Sequence, residues 1–265
     1  MLVHSRAGRA AAWAVFLVLF LPLFALPLVV ILAASLATSW SGTLPSGPTT
    51  EHYAAALRGD ALDALTTSLL TAAAASALAL TLGTWAALSA TALGRRGRRV
   101  LDALFMLPVA VPTVVVGLAV LVAYSTPPLL LNGTPSIVVI AHTVLVTAFA
   151  YQSVTAAEAR LDPALAQAAA GLGARPGYVL WRIRLPLLLP SLGAAAGLCF
   201  ALSMGELSAT VMLYPPHWTP LPVRVFAATD RGALMAGSAL AVVLMATTLL
   251  VLLAVSRVRT RASYR

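Results

Sequence analysis

Residues 158–190 read EARLDPALAQAAAGLGARPGYVLWRIRLPLLLP, a stretch of helix starts and stops set between two apolar runs. Asp162 followed by Pro163 predicts a helix start: a side-chain cap, then a proline in the first turn, where its missing N–H is not needed. This first short helix is expected over Pro163–Leu172. Gly173 supplies the left-handed stop. Pro176 opens a second short helix, expected to end before Pro186, because an interior proline breaks the hydrogen-bond ladder. Along the first helix Ala166, Ala168, Ala169, Ala170 and Gly171 are all small. Two readings fit such a surface: a helix lying on lipid, or a knob that lets another protein's backbone come close.

Outward from this stretch the chain turns apolar. Of its 265 residues, 60% are hydrophobic and 9% charged, against about 25% charged in a soluble domain. A water-soluble fold is excluded. A helix that crosses a membrane needs about 20 mostly apolar residues. Six runs qualify, at about 12–37, 62–93, 104–124, 137–155, 190–213 and 233–255. They are continuous rather than alternating, so helices are expected and not barrel strands. The first is too long for a signal peptide and lacks a convincing cleavage site. The expected fold is all-α: a polytopic membrane bundle of six transmembrane helices in a single domain, 1–265. A two-helix loop, about 156–189, lies between spans four and five.

All 17 basic residues are arginine. Without lysine, neither a Gly-Lys-Ser/Thr phosphate loop nor Schiff-base catalysis is available. Fourteen of the arginines fall at the two ends of the chain, near 94–100 and in the 156–189 loop. Only Arg58, Arg224 and Arg231 fall on the other side. The positive-inside rule then places both termini in the cytoplasm. The net charge of +9 reads as a topology signal with contact to anionic lipid, not as a nucleic-acid surface.

The long loop resembles the one carried by permease subunits of ATP-binding-cassette (ABC) importers. Their pattern is Glu-Ala-Ala, three residues, Gly, nine residues, Ile, one residue, Leu-Pro. Here Gln167, Ala168 and Ala169 are followed at the same spacings by Gly173, Ile183, Leu185 and Pro186. Gln167 departs from the family's glutamate, keeping its size and acceptor while losing the charge. Two more stretches are similar to the branch serving ferric iron, 2-aminoethylphosphonate, thiamine, molybdate and sulfate: Leu107–Pro112 followed by Gly117, and Gly205-Glu206-Leu207-Ser208-Ala209-Thr210. Tyr214-Pro215-Pro216 with Leu221-Pro222 looks most like the ferric-iron and 2-aminoethylphosphonate members.

The resemblance implies a coupling loop that sits in a cleft of an ATPase subunit. It implies two such ATPases, an external solute-binding protein and a bacterial plasma (inner) membrane. One coupling loop per chain further implies a second permease, identical or homologous. The solute pathway would open by alternating access. The solute is expected to be ferric iron or an organophosphonate.

Single residues add less. Glu206 is a carboxylate inside the fifth apolar run, where charge is costly and is usually turned to a bundle interior or a pathway. It either joins two helices by hydrogen bonding or serves as a pathway or gate residue. Gly193 and Gly197 form a Gly-x-x-x-Gly suited to close helix packing. His142 is expected to be a hydrogen-bonded core residue and the lone Cys199 a packing residue. His4, His52 and His217 lie too far apart for a metal site, and no metal or other cofactor is expected. No nucleophile–base pair suggests an enzyme. The competing class is a secondary transporter driven by an ion gradient, which would account for six spans and Glu206 but not for the loop pattern.

Overall fold

A computed structural model describes residues 5–262; His4 and residues 263–265, with Arg265 among them, lie outside the described residues. The elements are α1 (Arg6–Phe20), α2 (Leu26–Ser35), β1 (Ala37–Ser39), β2 (Ser46–Pro48), α3 (Glu51–Ala56), α4 (Gly59–Ala90), α5 (Arg95–Ala110), α6 (Thr113–Ala123) and α7 (Pro135–Glu158). They continue as α8 (Pro163–Gly171), α9 (Pro176–Val179), α10 (Leu185–Met204), α11 (Ser208–Leu213), α12 (Leu221–Asp230) and α13 (Leu234–Ala262). Among the described residues, five helices are long and apolar enough to cross a membrane. The pair α5 and α6 makes a sixth crossing if taken together.

Three expected helix ends differ. The third run is not one helix: α5 and α6 meet at 105°. Val111, which precedes Pro112, is extended (φ −106°, ψ 134°), as the steric clash with the proline ring requires. The fifth run breaks after Met204, and helix resumes only at Ser208. Conversely, the second loop helix does not stop before Pro186. It runs through a π-turn, Leu180–Arg184, straight into α10, giving 29 helical residues from Pro176 to Met204. The Leu185 N–H bonds five residues back, to the Leu180 carbonyl. That widened turn moves a carbonyl away from the following proline ring, which has no N–H to satisfy. The same device joins α1 to α2, where Leu26, just before Pro27, bonds back to Leu21.

The residues pack as two compact units. The larger comprises Asp63–Val223 with the residues from Leu244 onward. Its centre is α7, buried along its whole length from Ile137 and Ala141 through Val146 and Ala150 to Val154, as expected of a helix apolar all round. Along α4 a stripe of small residues, Ala72, Ala75, Ala79, Gly83 and Ala87, is buried, which lets helix axes approach closely. Ala79 packs with Val146, Ala150 and Cys199, and Ala87 with Tyr151, Val154 and Leu188. Gly117 of α6 is tighter still: a Cβ there would lie 2.8 Å from the Ala209 Cα. At the Thr71 end of this unit the Trp218 indole N–H donates to Thr71 Oγ1 (3.0 Å) and the Leu221 N–H to Ser68 Oγ (2.7 Å). Thr91, Arg98, Glu158 and Gln167 share one cavity, so the start of α5 and the long loop lie at one end of the bundle.

The smaller unit comprises the residues up to Leu62 with Arg224–Val243. Its α1 buries nothing and exposes Trp13, Phe16, Leu19 and Phe20, a surface suited to lipid. After α2 comes a short antiparallel hairpin, with Ala37 opposite Pro48 and Ser39 opposite Ser46. Tyr53 and Ser35 share a hydroxyl–hydroxyl bond, and Arg224 pairs with Asp60 at 3.2 Å.

Candidate functional site

Two regions of the larger unit carry the candidate residues. The first is the long loop. Asp162 Oδ1 accepts the Ala164 N–H at 2.9 Å and caps α8. At the far end of α8 the Gly173 N–H bonds to the Ala170 carbonyl and the Ala174 N–H to the Ala169 carbonyl. Gly173 itself sits at φ +85°. This paired closure around a left-handed glycine is a Schellman stop, and it turns the chain sharply into α9. Nothing on α8 is buried. Leu172 is 90% exposed, and Leu165, Tyr178 and Trp181 are exposed too. The loop thus leaves several large apolar side chains uncovered.

Gln167, Ala168 and Gly173 face solvent, and Ala169, Ile183 and Leu185 are partly covered. Gln167 and Ile183 line a cavity of about 490 Å³ under the loop, with Thr91, Arg98, Glu158 and Arg184. Arg184 pairs with Glu158 across this cavity. The pairing is not legible in the sequence, because it depends on the end of α7 and the π-turn before α10 being neighbours.

The second region lies in the middle of the bundle, where the two helix breaks meet. Pro108, Val111 and Thr113 from the first break and Leu202, Ser203 and Glu206 from the second line a cavity of about 210 Å³ against His142, Leu145 and Phe149. At 1.5 Å per residue α7 is about 36 Å long, and these three residues occupy its central part. Backbone that leaves the helix at such depth is tolerated only inside protein or beside a water-filled space. Glu206 is partly buried. Its Oε1 accepts the Ala209 N–H at 2.8 Å, closing the first turn of α11.

His142 spans the same break. Its Nδ1 lies 2.7 Å from Ser203 Oγ on α10 and its Nε2 2.8 Å from Thr210 Oγ1 on α11. The Thr210 hydroxyl donates to the Glu206 carbonyl, so its oxygen accepts from the ring. That fixes the proton on Nε2 and makes Ser203 the donor to Nδ1. The ring therefore staples the two halves of a broken helix. Its place inside an apolar run points to His142 as a core residue; nothing in the sequence names Ser203 and Thr210 as partners.

The remaining candidates are packing positions. Cys199 is buried, with its Sγ 3.4 Å from the Val146 carbonyl. Gly197 is buried, and a Cβ on it would lie 3.1 Å from Leu252 Cδ2. Gly193 is half-buried. His52 bonds to the Ala37 carbonyl.

Comparison with known proteins comes down to one kind of molecule. Residues 79–262 match the family model described as a binding-protein-dependent transport system inner membrane component. A Salmonella paratyphi A permease named for 2-aminoethylphosphonate transport, PhnV, is 48% identical over 261 residues, covering 98% of both chains. The molybdenum transport system permease protein ModB of Mycobacterium bovis is 34% identical over 69% of this chain and 75% of its own length. In fold, the chain superposes on a solved bacterial ABC transporter that imports the polysaccharide alginate, with a TM-score of 0.78 at 16% identity over 97% of this chain and 96% of the other.

Proposed function

We propose a function on one premise: the chain belongs to the family of binding-protein-dependent transport system inner membrane components. It is a multi-pass inner-membrane permease of an ABC importer, and the ion-gradient-driven alternative falls away. The chain forms half of a solute pathway that alternates between the two faces of the membrane. A second permease forms the other half, two ATPase subunits supply ATP hydrolysis, and an external binding protein delivers the solute. The arginine distribution supports cytoplasmic termini, with the 156–189 loop on the ATPase side.

Within this scheme Gln167, Ala168, Ala169, Gly173, Ile183, Leu185 and Pro186 form the coupling loop, and α8 is the part that enters the ATPase cleft. Its unburied, small-residue surface supports that role. Glu206 lies on the pathway, at a cavity where two helices are interrupted. Gly193 and Gly197 serve close packing of α10. The whole of 1–265 acts as one permease domain.

The solute we assign is 2-aminoethylphosphonate. The observation that carries it is 48% identity over 98% of both chains with a permease named for that transport. The mid-bundle cavity of about 210 Å³ lies below the range of about 300–1,000 Å³ usual for drug-sized ligands, in keeping with a small solute. The test is uptake of labelled 2-aminoethylphosphonate by cells carrying the permease with its ATPase and binding protein, against excess ferric citrate or molybdate. Uptake that neither competitor reduces supports the assignment. Uptake of iron or molybdate in place of the phosphonate overturns it.

A further inference from the structure

The long loop leaves the bundle at Glu158, the last residue of α7, and returns at Arg184, the last residue of the π-turn before α10. These two side chains are paired. The Arg184 guanidinium also lies 3.5 Å from Thr91 Oγ1, just beyond α4. One cation thus ties the ends of three membrane helices directly beneath α8. The pair is sheltered, with side-chain exposures of 13% for Glu158 and 26% for Arg184. Glu158 Oε2 is buried and has no partner among the described residues. A sheltered carboxylate with one unpaired oxygen depends on its single cation far more than a surface carboxylate does.

We propose that Glu158 and Arg184 are a clasp at the neck of the coupling loop, positioning residues that make α8 and its flanking helices move as one lever. The proposal rests on the coupling role of the loop given above. Without the clasp, α8 and the turns flanking it stay joined to α10 through the unbroken helix from Pro176, but to α7 through the chain itself and apolar contacts such as those of Leu161. The roof of the 490 Å³ cavity would then yield when α8 is pushed. ATP would still be bound and hydrolysed, but the push would reach α10 along its own helix without carrying α7 with it. With the clasp closed, displacement of α8 is passed to the helices that bear the mid-bundle cavity. The two ends differ in kind: neutralising Arg184 strands a buried carboxylate, whereas neutralising Glu158 frees a guanidinium that can turn to Thr91 or to water.

The test uses the full transporter in membrane vesicles, with permease, ATPase and binding protein together and 2-aminoethylphosphonate as probe. Glu158→Gln, Arg184→Gln and the charge-swapped double variant Glu158→Arg/Arg184→Glu are compared for ATPase retention, ATP hydrolysis and solute taken up per ATP. Each single variant should retain the ATPase and hydrolyse ATP while uptake per ATP falls about tenfold, a typical coupling between sites. Arg184→Gln should be the worse of the two. The swapped pair should recover to within about threefold, since the attraction depends on the pair and not on its direction. Single variants at wild-type uptake per ATP would overturn the clasp, and so would a swapped pair no better than the singles. If a single variant fails to insert, the swapped pair decides alone. Failure of the coupling-loop reading would look different: variants on α8 itself would leave ATPase retention and uptake untouched.

Discussion

The long loop and the mid-bundle cavity are built in opposite ways. The bonds that start and stop α8 are local: Asp162 caps two residues on, and the Gly173 stop closes within the same helix. Its outward face is left unburied. The cavity has almost no local logic. Pro108, His142 and Glu206 come from three separate crossings, and the hydrogen bonds of His142 reach 61 and 68 residues along the chain. In the coupling role proposed above, a piece that fits a second protein has to be specified residue by residue at fixed spacing. A space between helices needs only that each helix bring the right side chain at the right depth.

The largest expected effects fall on the loop. Ala169→Trp adds bulk to its partly covered small face, and Gly173→Val forces a β-branched residue to φ +85°, a strain of about 1–3 kcal/mol. Neither touches the buried core, so both permeases should insert in normal amounts. Both should lose ATPase co-purification and fall to background uptake. If they hold the ATPase and transport normally, the contrast between the two regions has no functional meaning.

Next comes Glu206, where two substitutions separate capping from charge. Glu206→Gln keeps an acceptor for the Ala209 N–H and removes the charge. Glu206→Leu removes both and leaves the α11 turn uncapped, at a cost of about 1 kcal/mol. Uptake should fall with Gln and fall further with Leu, with ATPase retention unchanged in both. Equal and normal uptake in the two variants would reduce Glu206 to a helix cap.

A smaller effect is expected at the staple. His142→Leu removes the donor to Thr210 and the acceptor for Ser203, both buried, and should cost about 1–3 kcal/mol for each group left unpaired. The readout is the thermal midpoint of the purified permease in detergent. No change in midpoint would mean that the break holds without the ring. The smallest effect belongs to Gln167→Glu. It restores the family's residue at an exposed position and should leave uptake within error, since surface changes of this kind are usually worth less than about 0.5 kcal/mol.

How much of this the sequence discloses follows from the same contrast. Apolar runs are an additive property of composition, so the five helices that can cross, and the bent pair that can make a sixth, are legible. The cap at Asp162, the stop at Gly173 and the spacing to Leu185-Pro186 are local, and they are legible too. The sharp bend at Val111–Pro112 carries a local signal in its proline, but hydropathy alone reads straight across it. Pro186 misleads in the other direction. A proline normally ends a helix, and only the backbone path reveals that a widened turn carries the helix past it. The Glu158–Arg184 pair and the His142 network require knowing which helices are neighbours, and no spacing rule supplies that.

The measurement that bears most directly on the central claim is a cross-link from α8. Cys199, the single cysteine, is buried, so Ala169→Cys, made with Cys199→Ala, offers one accessible thiol. That thiol carries a photoactivated cross-linker in membranes that also contain the ATPase and binding protein. A matching Val18→Cys on the lipid-exposed α1 serves as control. The α8 thiol should cross-link to the ATPase subunit and the α1 thiol should not. An α8 thiol that cross-links only to lipid or to nothing, in complexes that still hydrolyse ATP and transport, would contradict the coupling role of α8.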